Sequence, residues 1–406
     1  GAASASRRGP RGPRPSARRC SSGAGDDPAL SQGPYDLEIA AFAAMAPRPL
    51  SVKDVLDMAE PRMVARFLLR EVPVRYAERI RSIEALRQWR RIPELVEVHA
   101  SHVDTFKKLR NIDRKMQALE DVMFIDSVSH LRAFTEIIEQ AVNDRRTVVV
   151  MLARAMLKLQ EQDPETYTAA FADGFMNTFL LNRIGCIVLM TQYMSCLGGS
   201  LKAAGLMDSN CDVGRICTET AVAVQDVCEE STGRRPEVLV QTYSAVGTDC
   251  GAPKMAFIPR FLRYIVGEVL KNSCRATVEN SPPGLDLQTR PIKVIVCADE
   301  EHVALRFTDR AGGIPFHVGS RVWSYLYSTA RRDNKAPTQL AGYGVGLPMS
   351  RLYARYLGGS LDLRSWPGYG TDAYLVLPRI SSKQLEVIPD QVGGAQRYSS
   401  LADHLL

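Results

Sequence analysis

The spacing of apolar residues changes once along the chain, near Gly233, and that change restricts the folds open to it. From about residue 50 to residue 232, apolar side chains recur every three or four positions, which is the period of amphipathic helices. Several such helices without strands predict a helical bundle. After residue 233, short β-rich runs alternate with helical stretches. This second pattern predicts a largely antiparallel sheet with helices, so the predicted fold class is α+β.

Local patterns define the segments of the second half. Polar or Pro-Gly-rich turns between β-rich runs predict two hairpins, and stretches with the helical period predict two helices. The predicted segments are a strand at 236–243, a helix at 261–278, strands at 291–298 and 302–308, a helix at 347–357, and strands at 360–364 and 371–377. In the first half, Pro73 and Pro93 are predicted to break or kink the first long helical stretch.

Composition and charge argue against several classes of protein. The formal net charge is +6, but residues 1–25 hold six arginines and no acidic residue, so the rest of the chain is neutral. No nucleic-acid-binding face is therefore predicted. The nine cysteines form no CxxC pair and are odd in number, which argues against a disulfide scaffold and favours a reducing compartment. No run approaches 18 apolar residues, so no membrane span is predicted.

Residues 1–25 are predicted to be a targeting segment rather than part of the fold. They are rich in Arg, Ser, Ala, Gly and Pro, and they lack the apolar stretch of a secretory signal. An arginine- and serine-rich start without acidic residues is typical of a mitochondrial transit peptide. At the other end, residues 381–406 are interpreted as a C-terminal tail.

Three common catalytic motifs do not occur in the sequence. There is no GxxxxGK[ST] phosphate loop, no HRD motif paired with DFG, and no HExxH zinc site. The residues that can carry chemistry lie instead in three successive elements of the second half.

The first element is the predicted helix that carries Glu268, Asn272 and Arg275. These residues are spaced i, i+4 and i+7 and therefore share one face. An Asn amide oxygen suits Mg²⁺ held between protein and phosphates, and a carboxylate one turn earlier can accept a proton from an attacking hydroxyl. On its own, the same pattern also describes a solvated helix face.

The second and third elements are rich in glycine. Asp309-Arg-Ala-Gly-Gly313 ends a β-rich run, where a carboxylate can hold an exocyclic amine such as adenine N6 and glycines let the backbone approach the ring. Gly342-Tyr-Gly-Val-Gly346 leads into a helix, whose N-terminal N–H groups can bind phosphate. Thr371, in the following hairpin, is a further candidate donor to the phosphates.

The order of these elements resembles the ATP site of the GHKL superfamily. More specifically, KNSCRATVE, SYLYSTA and LAGYGVGLPMSRLYARYLGGSL are similar to the mitochondrial pyruvate dehydrogenase kinase and branched-chain α-ketoacid dehydrogenase kinase family. PRPLSVKDVLDM and FLLREVPVRYA in the first half agree with it. The resemblance covers about residues 35–380. It implies an all-α four-helix bundle over 35–232, followed by a GHKL-type α/β sandwich that binds ATP over 233–380.

The resemblance also implies an activity. The chain is expected to be an ATP-dependent serine kinase that inactivates the E1α subunit of a mitochondrial α-ketoacid dehydrogenase complex, most readily pyruvate dehydrogenase, with the branched-chain complex as the alternative. Expected partners are E1α and the lipoyl domain of E2, in the mitochondrial matrix, with the kinase as a homodimer. Expected cofactors are ATP and Mg²⁺, and K⁺ is a further candidate.

Carried over by position, Glu268 is implied to be the general base and Asn272 the Mg²⁺ ligand. Residues 330–341 are implied to form the ATP lid. Arg183 and Arg145 are the candidates for a regulatory pocket in the bundle. The implied ATP-binding residues are Asn272, Arg275, Asp309, Gly313, Ser328, Thr329, Gly342, Tyr343, Gly344, Val345, Gly346, Leu347 and Thr371.

Some positions depart from the family pattern. Ala311 replaces the usual first glycine, which would weaken nucleotide binding if that position needs a positive φ. Tyr264 stands where pyruvate-type kinases often carry His and resembles the branched-chain type. In the bundle, Arg145 and Ile187 stand where the family has His and Arg, which puts inherited ligand regulation in doubt. The tail also lacks the Asp-Trp pair through which pyruvate-type dimers contact each other.

Two other functional classes compete with this interpretation. A GHKL ATPase that drives conformational change usually carries its ATP domain first, whereas here it comes last, and a histidine kinase would need a phosphoacceptor, for which His130 is the only helix candidate. A non-catalytic scaffold that binds the E2 lipoyl domain is the other class. The presence of Glu268, Asn272 and Asp309 argues against a scaffold, because burying each polar group costs free energy.

Overall fold

The fold is known from a computed structural model. The described residues are 34–50, 52–58, 60–120, 127–143, 145–197, 207–245, 253–282, 284, 286–325, 327 and 344–379. Over this part of the chain the helices are α1 (Pro34–Ala43), α2 (Val52–Asp57), α3 (Pro61–Glu84), α4 (Pro93–Glu120), α5 (Ser127–Asn143), α6 (Arg145–Gln162), α7 (Ala169–Cys196), α8 (Val213–Thr232), α9 (Pro259–Glu279) and α10 (Gly346–Tyr356). The strands are β1 (Asp208–Asp212), β2 (Val238–Ser244), β3 (Lys254–Phe257), β4 (Ile292–Ala298), β5 (His302–Asp309), β6 (Ser360–Trp366) and β7 (Gly370–Pro378).

The N-terminal helices form the expected four-helix bundle. Its four helical segments are α3, α4, the consecutive pair α5 and α6, and α7, while α1 packs on α3. Their apolar faces meet in one core, and its most buried members include Leu68, Ile80, Phe106, Phe134 and Phe179. Burial of each such side chain contributes about 1.5–3 kcal/mol, so packing rather than local propensity holds these helices together.

The two prolines of the first helical stretch behave differently from each other. Pro93 begins α4, where its missing N–H costs no hydrogen bond. Of the break or kink predicted at Pro73, the break does not occur, because α3 continues from Pro61 to Glu84. Val72 and Val74 on either side are buried, so the packing of α3 against α4 and α7 outweighs the backbone hydrogen bond that Pro73 cannot make.

The second half contains the predicted, largely antiparallel sheet. Its strand order is β2-β4-β5-β7-β6, with β2 and β4 parallel and the other three pairs antiparallel. Alternate residues of β4, β5 and β7 are buried, which is the period of a sheet covered on one face. Helices α8, α9 and α10 pack on the sheet and on one another.

The junction between the two halves differs from the prediction in two respects. Residues 208–212 lie in the stretch predicted to be helical, yet they form β1, which pairs with β3 more than forty residues later. Helix α8 was expected to close the bundle, but it packs on α9, β2 and β4. The spacing of apolar residues predicts that a helix forms, but it does not indicate whether that helix packs in the bundle or on the sheet. We propose on this packing that the domain boundary lies before α8.

Helix α7 meets the length and composition of a membrane-spanning helix, although the sequence analysis expected no such segment. In its most apolar 18-residue window, 72% of the residues are buried inside the protein. A buried helix of a soluble core passes the same test, and α7 packs against α3, α5, α6 and α10. Because α7 is mostly buried inside the protein, its length and composition are not evidence that it spans a membrane.

Candidate active site

A cavity of about 720 Å³ opens between α9, the ends of β5 and β7, and the start of α10. This volume lies in the range of small-molecule and cofactor sites. Charged and polar side chains from these elements converge on it: Glu268, Lys271, Asn272, Ser273, Arg275, Glu279, Asp309 and Thr371. Glycines form part of the remaining wall: Gly312, Gly313, Gly344 and Gly346.

Helix α9 presents one polar face to the cavity and an apolar face to the core. Ile265 and Leu270 are fully buried. Glu268, Asn272 and Arg275 line the cavity together, as their spacing predicts. The local sequence thus forms an amphipathic helix whose polar face belongs to the site.

Glu268 lies at the end of the cavity next to α10. Lys271 Nζ donates a hydrogen bond to Glu268 Oε1, which holds the carboxylate in place. A Cβ added to Gly346 would lie 2.1 Å from Glu268 Oε2, so the carboxylate touches the backbone of the first residue of α10. A side chain at position 346 would therefore displace the Glu268 carboxylate, while the backbone torsion there sets no requirement for glycine.

Arg275 brings a cationic donor to the same cavity. Its Nε is buried and has no hydrogen-bond partner among the described residues, and Glu279 Oε1 lies 3.7 Å away. The distance to Glu279 allows an ion pair but no hydrogen bond. Buried polar atoms nearly always make a hydrogen bond, so this guanidinium N–H on a ligand-sized cavity fits an anionic ligand.

The N-terminus of α10 is directed at the cavity without a side-chain cap. Val345 occupies the N-cap position and makes no side-chain hydrogen bond to the helix. The first N–H groups of the helix therefore need another acceptor. Gly344 precedes them with φ +72°, a torsion that favours glycine. Such a start of a helix binds phosphate well, because the N–H groups and the positive end of the helix dipole act together.

Asp309 is buried at the other end of the cavity, where three donors hold it. Ser273 Oγ donates to Oδ2 at 2.9 Å, and the N–H groups of Ala311 and Thr371 donate to Oδ1 at 3.1 and 3.2 Å. Burial raises the pKa of Asp309, while these hydrogen bonds act in the opposite direction. A carboxylate has about four lone-pair sites, so Asp309 keeps capacity for one more donor, such as the exocyclic amine of adenine.

The glycines after Asp309 show whether Ala311 stands at a position that needs a positive φ. Gly312 and Gly313 have φ of +86° and +70°. Gln88 is the one non-glycine residue with positive φ in the described part of the chain, so Ala311 is unstrained. A Cβ on Gly313 would lie 2.2 Å from the carbonyl oxygen of Trp366. The requirement for glycine therefore begins one position after Ala311, and the expected loss of nucleotide affinity has no backbone cause.

Thr371 lies beside Asp309 rather than at the phosphate end, where the sequence analysis placed it. The antiparallel register of β5 and β7 pairs Asp309 with Thr371, and this pairing brings the N–H of Thr371 to the Asp309 carboxylate. Its hydroxyl lies 2.9 Å from Ser365 Oγ. The register of β5 and β7 depends on pairing between distant segments, so the predicted hairpin alone did not indicate that Thr371 lies beside Asp309.

The other predicted site residues divide into three groups. Gly313, Gly344, Gly346 and Leu347 line the cavity, whereas Val345 packs against the hydrophobic core. Ser328, Thr329, Gly342, Tyr343 and the segment 330–341 lie outside the described residues.

Sequence reasoning missed Ser273 and Lys271. Ser273 is buried and donates to Asp309, and Lys271 pairs with Glu268. Both are adjacent in sequence to Asn272. A polar side chain on the otherwise apolar side of α9 was the available signal for Ser273.

A second, smaller cavity of about 260 Å³ lies inside the helical bundle. Arg183 of α7 lines it, as do Tyr76, Arg79, His102 and Ile187. Burial and the nearby Arg79 lower the pKa of His102 well below its usual range, so this ring is neutral near pH 7. The other predicted pocket residue, Arg145, begins α6, and its side chain lies outside the described part of the protein.

The geometry and the comparisons with known proteins now define the class of the C-terminal domain. Residues 258–381 match the family of histidine kinase-, DNA gyrase B- and HSP90-like ATPases. Members of this class use ATP, and the cavity described above falls within the matched region.

Comparisons over the rest of the chain identify the family. Residues 49–217 match the family model of mitochondrial branched-chain alpha-ketoacid dehydrogenase kinase. The mitochondrial pyruvate dehydrogenase (acetyl-transferring) kinase isozyme 4 of Homo sapiens is 31% identical over 381 residues, 87% of this chain and 86% of the relative. Human isozyme 3 is 30% identical, covering 89% and 90%, and isozyme 1 of Rattus norvegicus is 30% identical, covering 91% and 85%. The chain therefore belongs to the family of mitochondrial α-ketoacid dehydrogenase kinases, which are protein kinases built on a GHKL ATPase domain.

Proposed function

We propose that this kinase transfers the γ-phosphoryl group of ATP to a serine of the E1α subunit of mitochondrial pyruvate dehydrogenase and thereby inactivates it. One observation carries the proposal. A single cavity joins a carboxylate suited to a base, Glu268, to the uncapped N-terminus of α10 and to a buried carboxylate, Asp309, at the opposite end. Each of these three features has a separate task in phosphoryl transfer.

In the proposed reaction, Glu268 accepts the proton of the serine hydroxyl as its oxygen attacks the γ-phosphorus. The new O–P bond forms while the bond between the γ-phosphorus and the bridging oxygen breaks, and ADP leaves. The N–H groups of α10 and the Arg275 guanidinium offset the phosphate charge. Positioning and charge neutralisation supply most of the rate in this class of reaction.

The adenine end of ATP is assigned to Asp309. The remaining acceptor capacity of its carboxylate fits the exocyclic amine, and Gly312 and Gly313 let the backbone lie close to the ring. A base without that amine would meet a buried carboxylate and gain no hydrogen bond. The site would therefore select ATP over GTP.

The donor set also fits Mg²⁺ of the nucleotide. Asn272 lines the cavity between Glu268 and Arg275, and its amide oxygen is a hard neutral ligand. Among the described residues no group of three His, Cys, Asp or Glu side chains is placed to hold a metal, so the phosphates and water would supply the other ligands. When bound, Mg²⁺ neutralises phosphate charge. A K⁺ site stays a prediction.

The relatives favour pyruvate dehydrogenase over the branched-chain complex as the target. The three relatives described above are named pyruvate dehydrogenase kinases and cover most of this chain. Tyr264, which resembles the branched-chain type, packs edge-on against Tyr353 of α10 with 5.1 Å between ring centroids. Tyr264 therefore contributes to the packing of α9 on α10, and this role does not depend on which E1 the kinase phosphorylates.

Location and partners follow from the same relationship. The relatives are named mitochondrial, and we extend this location, and the matrix in particular, to this chain. Its partners would be E1α and the lipoyl domain of E2, and it would act as a homodimer. The arginine-rich segment 1–25 is consistent with import into mitochondria.

The bundle cavity is a candidate regulatory pocket. Arg183, Arg79 and neutral His102 give it two cations and one polar ring, while Lys108 and Asp104, which also line it, pair with each other at 2.7 Å. This arrangement would suit a small carboxylate. Ile187 stands where a second family arginine is expected, so we expect this pocket to bind such a ligand more weakly than its relatives do.

The decisive experiment measures transfer of labelled phosphate from Mg-ATP to purified E1 of the pyruvate complex and of the branched-chain complex, each with its own E2. Glu268→Gln serves as the inactive control. Labelling of pyruvate dehydrogenase E1 alone is the expected result. Labelling of the branched-chain E1 alone would make the branched-chain complex the target. ATP binding without labelling of either E1 would favour a non-catalytic scaffold or a GHKL ATPase.

A further inference from the structure

One residue of the bundle makes a double contact with the ATP domain. Asp173 of α7 accepts a hydrogen bond from Ser324 Oγ at 2.7 Å on Oδ2 and another from the Tyr325 N–H at 3.0 Å on Oδ1. One turn further along α7, Asn177 Oδ1 accepts the Tyr325 hydroxyl at 2.9 Å. Two side chains of α7 thus hold the backbone and both side chains of a dipeptide from the other domain.

The contact is partly buried, and Tyr325 is its most buried member. Tyr325 is 8% exposed, and burial, with the charge of Asp173 beside it, raises the pKa of its hydroxyl, which therefore remains a neutral donor. A buried hydroxyl or amide N–H that loses its partner costs free energy, since water cannot replace that partner. The carboxylate is also the acceptor best suited to two donors at once, because each of its oxygens accepts without having to donate.

The residues on either side of this dipeptide form part of the ATP cavity. Val322 and Tyr327 both line it. The ring of Trp323 stacks with Arg351 of α10, whose guanidinium lies 4.5 Å from the ring centroid. Helix α10 begins at Gly346, which touches the Glu268 carboxylate. The wall held by Asp173 is therefore continuous with the phosphate end of the site.

We infer that Asp173 is a positioning residue for ATP, which fixes from the helical bundle the part of the cavity wall that Val322 and Tyr327 form. The inference rests on the proposed ATP site and deepens it, because it makes the affinity of the ATP domain depend on a helix of the other domain. Without the carboxylate, Ser324 and Tyr325 lose the acceptor of their hydrogen bonds. Part of the binding free energy of ATP is then needed to order this wall of the cavity, which lowers the affinity for ATP.

The test compares Asp173→Ala and Asp173→Asn with the wild-type full chain. Calorimetry gives the Kd for Mg-ATP, and steady-state assays give KM for ATP and kcat. We expect Asp173→Ala to raise Kd and KM by about tenfold, the order expected when hydrogen bonds to a charged acceptor are lost, while kcat at saturating ATP changes far less. Asp173→Asn keeps one acceptor oxygen and should recover part of the affinity. Glu165→Ala removes an exposed carboxylate before α7 and should leave both constants unchanged.

Ser324→Ala tests the same contact if Asp173→Ala does not fold, because it removes one hydroxyl and keeps the carboxylate. Its Kd should rise less than that of Asp173→Ala, and the double variant should bind ATP no more weakly than Asp173→Ala alone. A folded Asp173→Ala or Ser324→Ala protein with unchanged Kd, even with a lower Tm, would show that the contact is only structural and overturn the inference. ATP binding without labelling of E1 would refute the proposed substrate alone, whereas a wild-type chain that binds no ATP would refute both proposals.

Discussion

Two carboxylates share the candidate active-site cavity in contrasting surroundings. Glu268 lies beside an ammonium group, that of Lys271, and against the start of α10, with its side chain 19% exposed. Asp309 is buried, is held by three neutral donors and has a raised pKa. A carboxylate that meets solvent and substrate suits proton transfer, whereas a buried and fixed carboxylate suits recognition. The two residues should therefore fail in different ways when they are changed.

Glu268→Gln should abolish transfer while leaving ATP affinity near normal. The amide is isosteric but cannot accept the proton of the serine hydroxyl, and loss of a general base typically lowers rates by about 10²–10⁴-fold. Phosphate transfer and calorimetric ATP binding should be measured on the same preparation. Glu230→Gln, an exposed carboxylate on α8, is the matched control and should keep full activity. Full activity in Glu268→Gln would remove its assignment as the base.

Asp309→Asn should weaken ATP binding and spare the fold. The amide places an NH₂ group where one carboxylate oxygen now accepts hydrogen bonds, so either the donors around Asp309 or the adenine amine lose a partner. We expect the Kd for ATP to rise by at least about tenfold, and the preference for ATP over GTP to fall with it. Circular dichroism would monitor the fold. An unchanged Kd would contradict the adenine assignment.

At the scale of elements, the site depends on how closely α9 and α10 approach. Phe261 and Tyr353 stack with 4.3 Å between ring centroids, and Glu268 reaches the backbone of Gly346. Because α10 has no side-chain cap, the first N–H groups of the helix are left open to an acceptor from the cavity. The end of α10 that we propose binds phosphate is thus positioned by helix packing.

Gly346→Ala should preserve the fold and remove most of the activity. The added methyl would require the Glu268 carboxylate, 2.1 Å away, to move, and the flexible end of that side chain can do so. The base would then be misplaced by about an ångström, enough to lower kcat by about 100-fold. Gly174→Ala, in α7, has open space around its new Cβ and is the control. A wild-type kcat in Gly346→Ala would show that the close contact is not needed.

The helical bundle should lose stability as the pH falls because of His102. Its pKa in the folded state lies below the unfolded value of about 6.5, so the unfolded state binds the proton first and stability falls below that pH. The loss approaches about 1.4 kcal/mol per pH unit. Thermal unfolding from pH 8 to pH 5 should therefore show a steeper fall in Tm for wild type than for His102→Phe. Parallel curves would mean that His102 does not titrate differently on unfolding.

At the scale of the whole molecule, local sequence patterns predicted some features and could not predict others. The helices and strands predicted from apolar periodicity were confirmed, because this periodicity depends only on residues close together in the sequence. The polar face of α9 was predicted for the same reason. Strand β1, the layer that α8 joins and the position of Thr371 depend on pairing with distant segments, which no local period reports. Pro73 shows the same limit, because tertiary packing overrode its local preference.

The order of strands in the sheet also bears on how the chain is made. Strand β7 is the last of the described strands to be synthesised, yet it lies between β5 and β6, which do not pair with each other. Until β7 leaves the ribosome, β6 has no partner, one edge of β5 is open, and the Asp309 carboxylate lacks the amide of Thr371. A translation product that stops before residue 370 would expose these strand edges, which makes it prone to aggregation and recognisable to quality control.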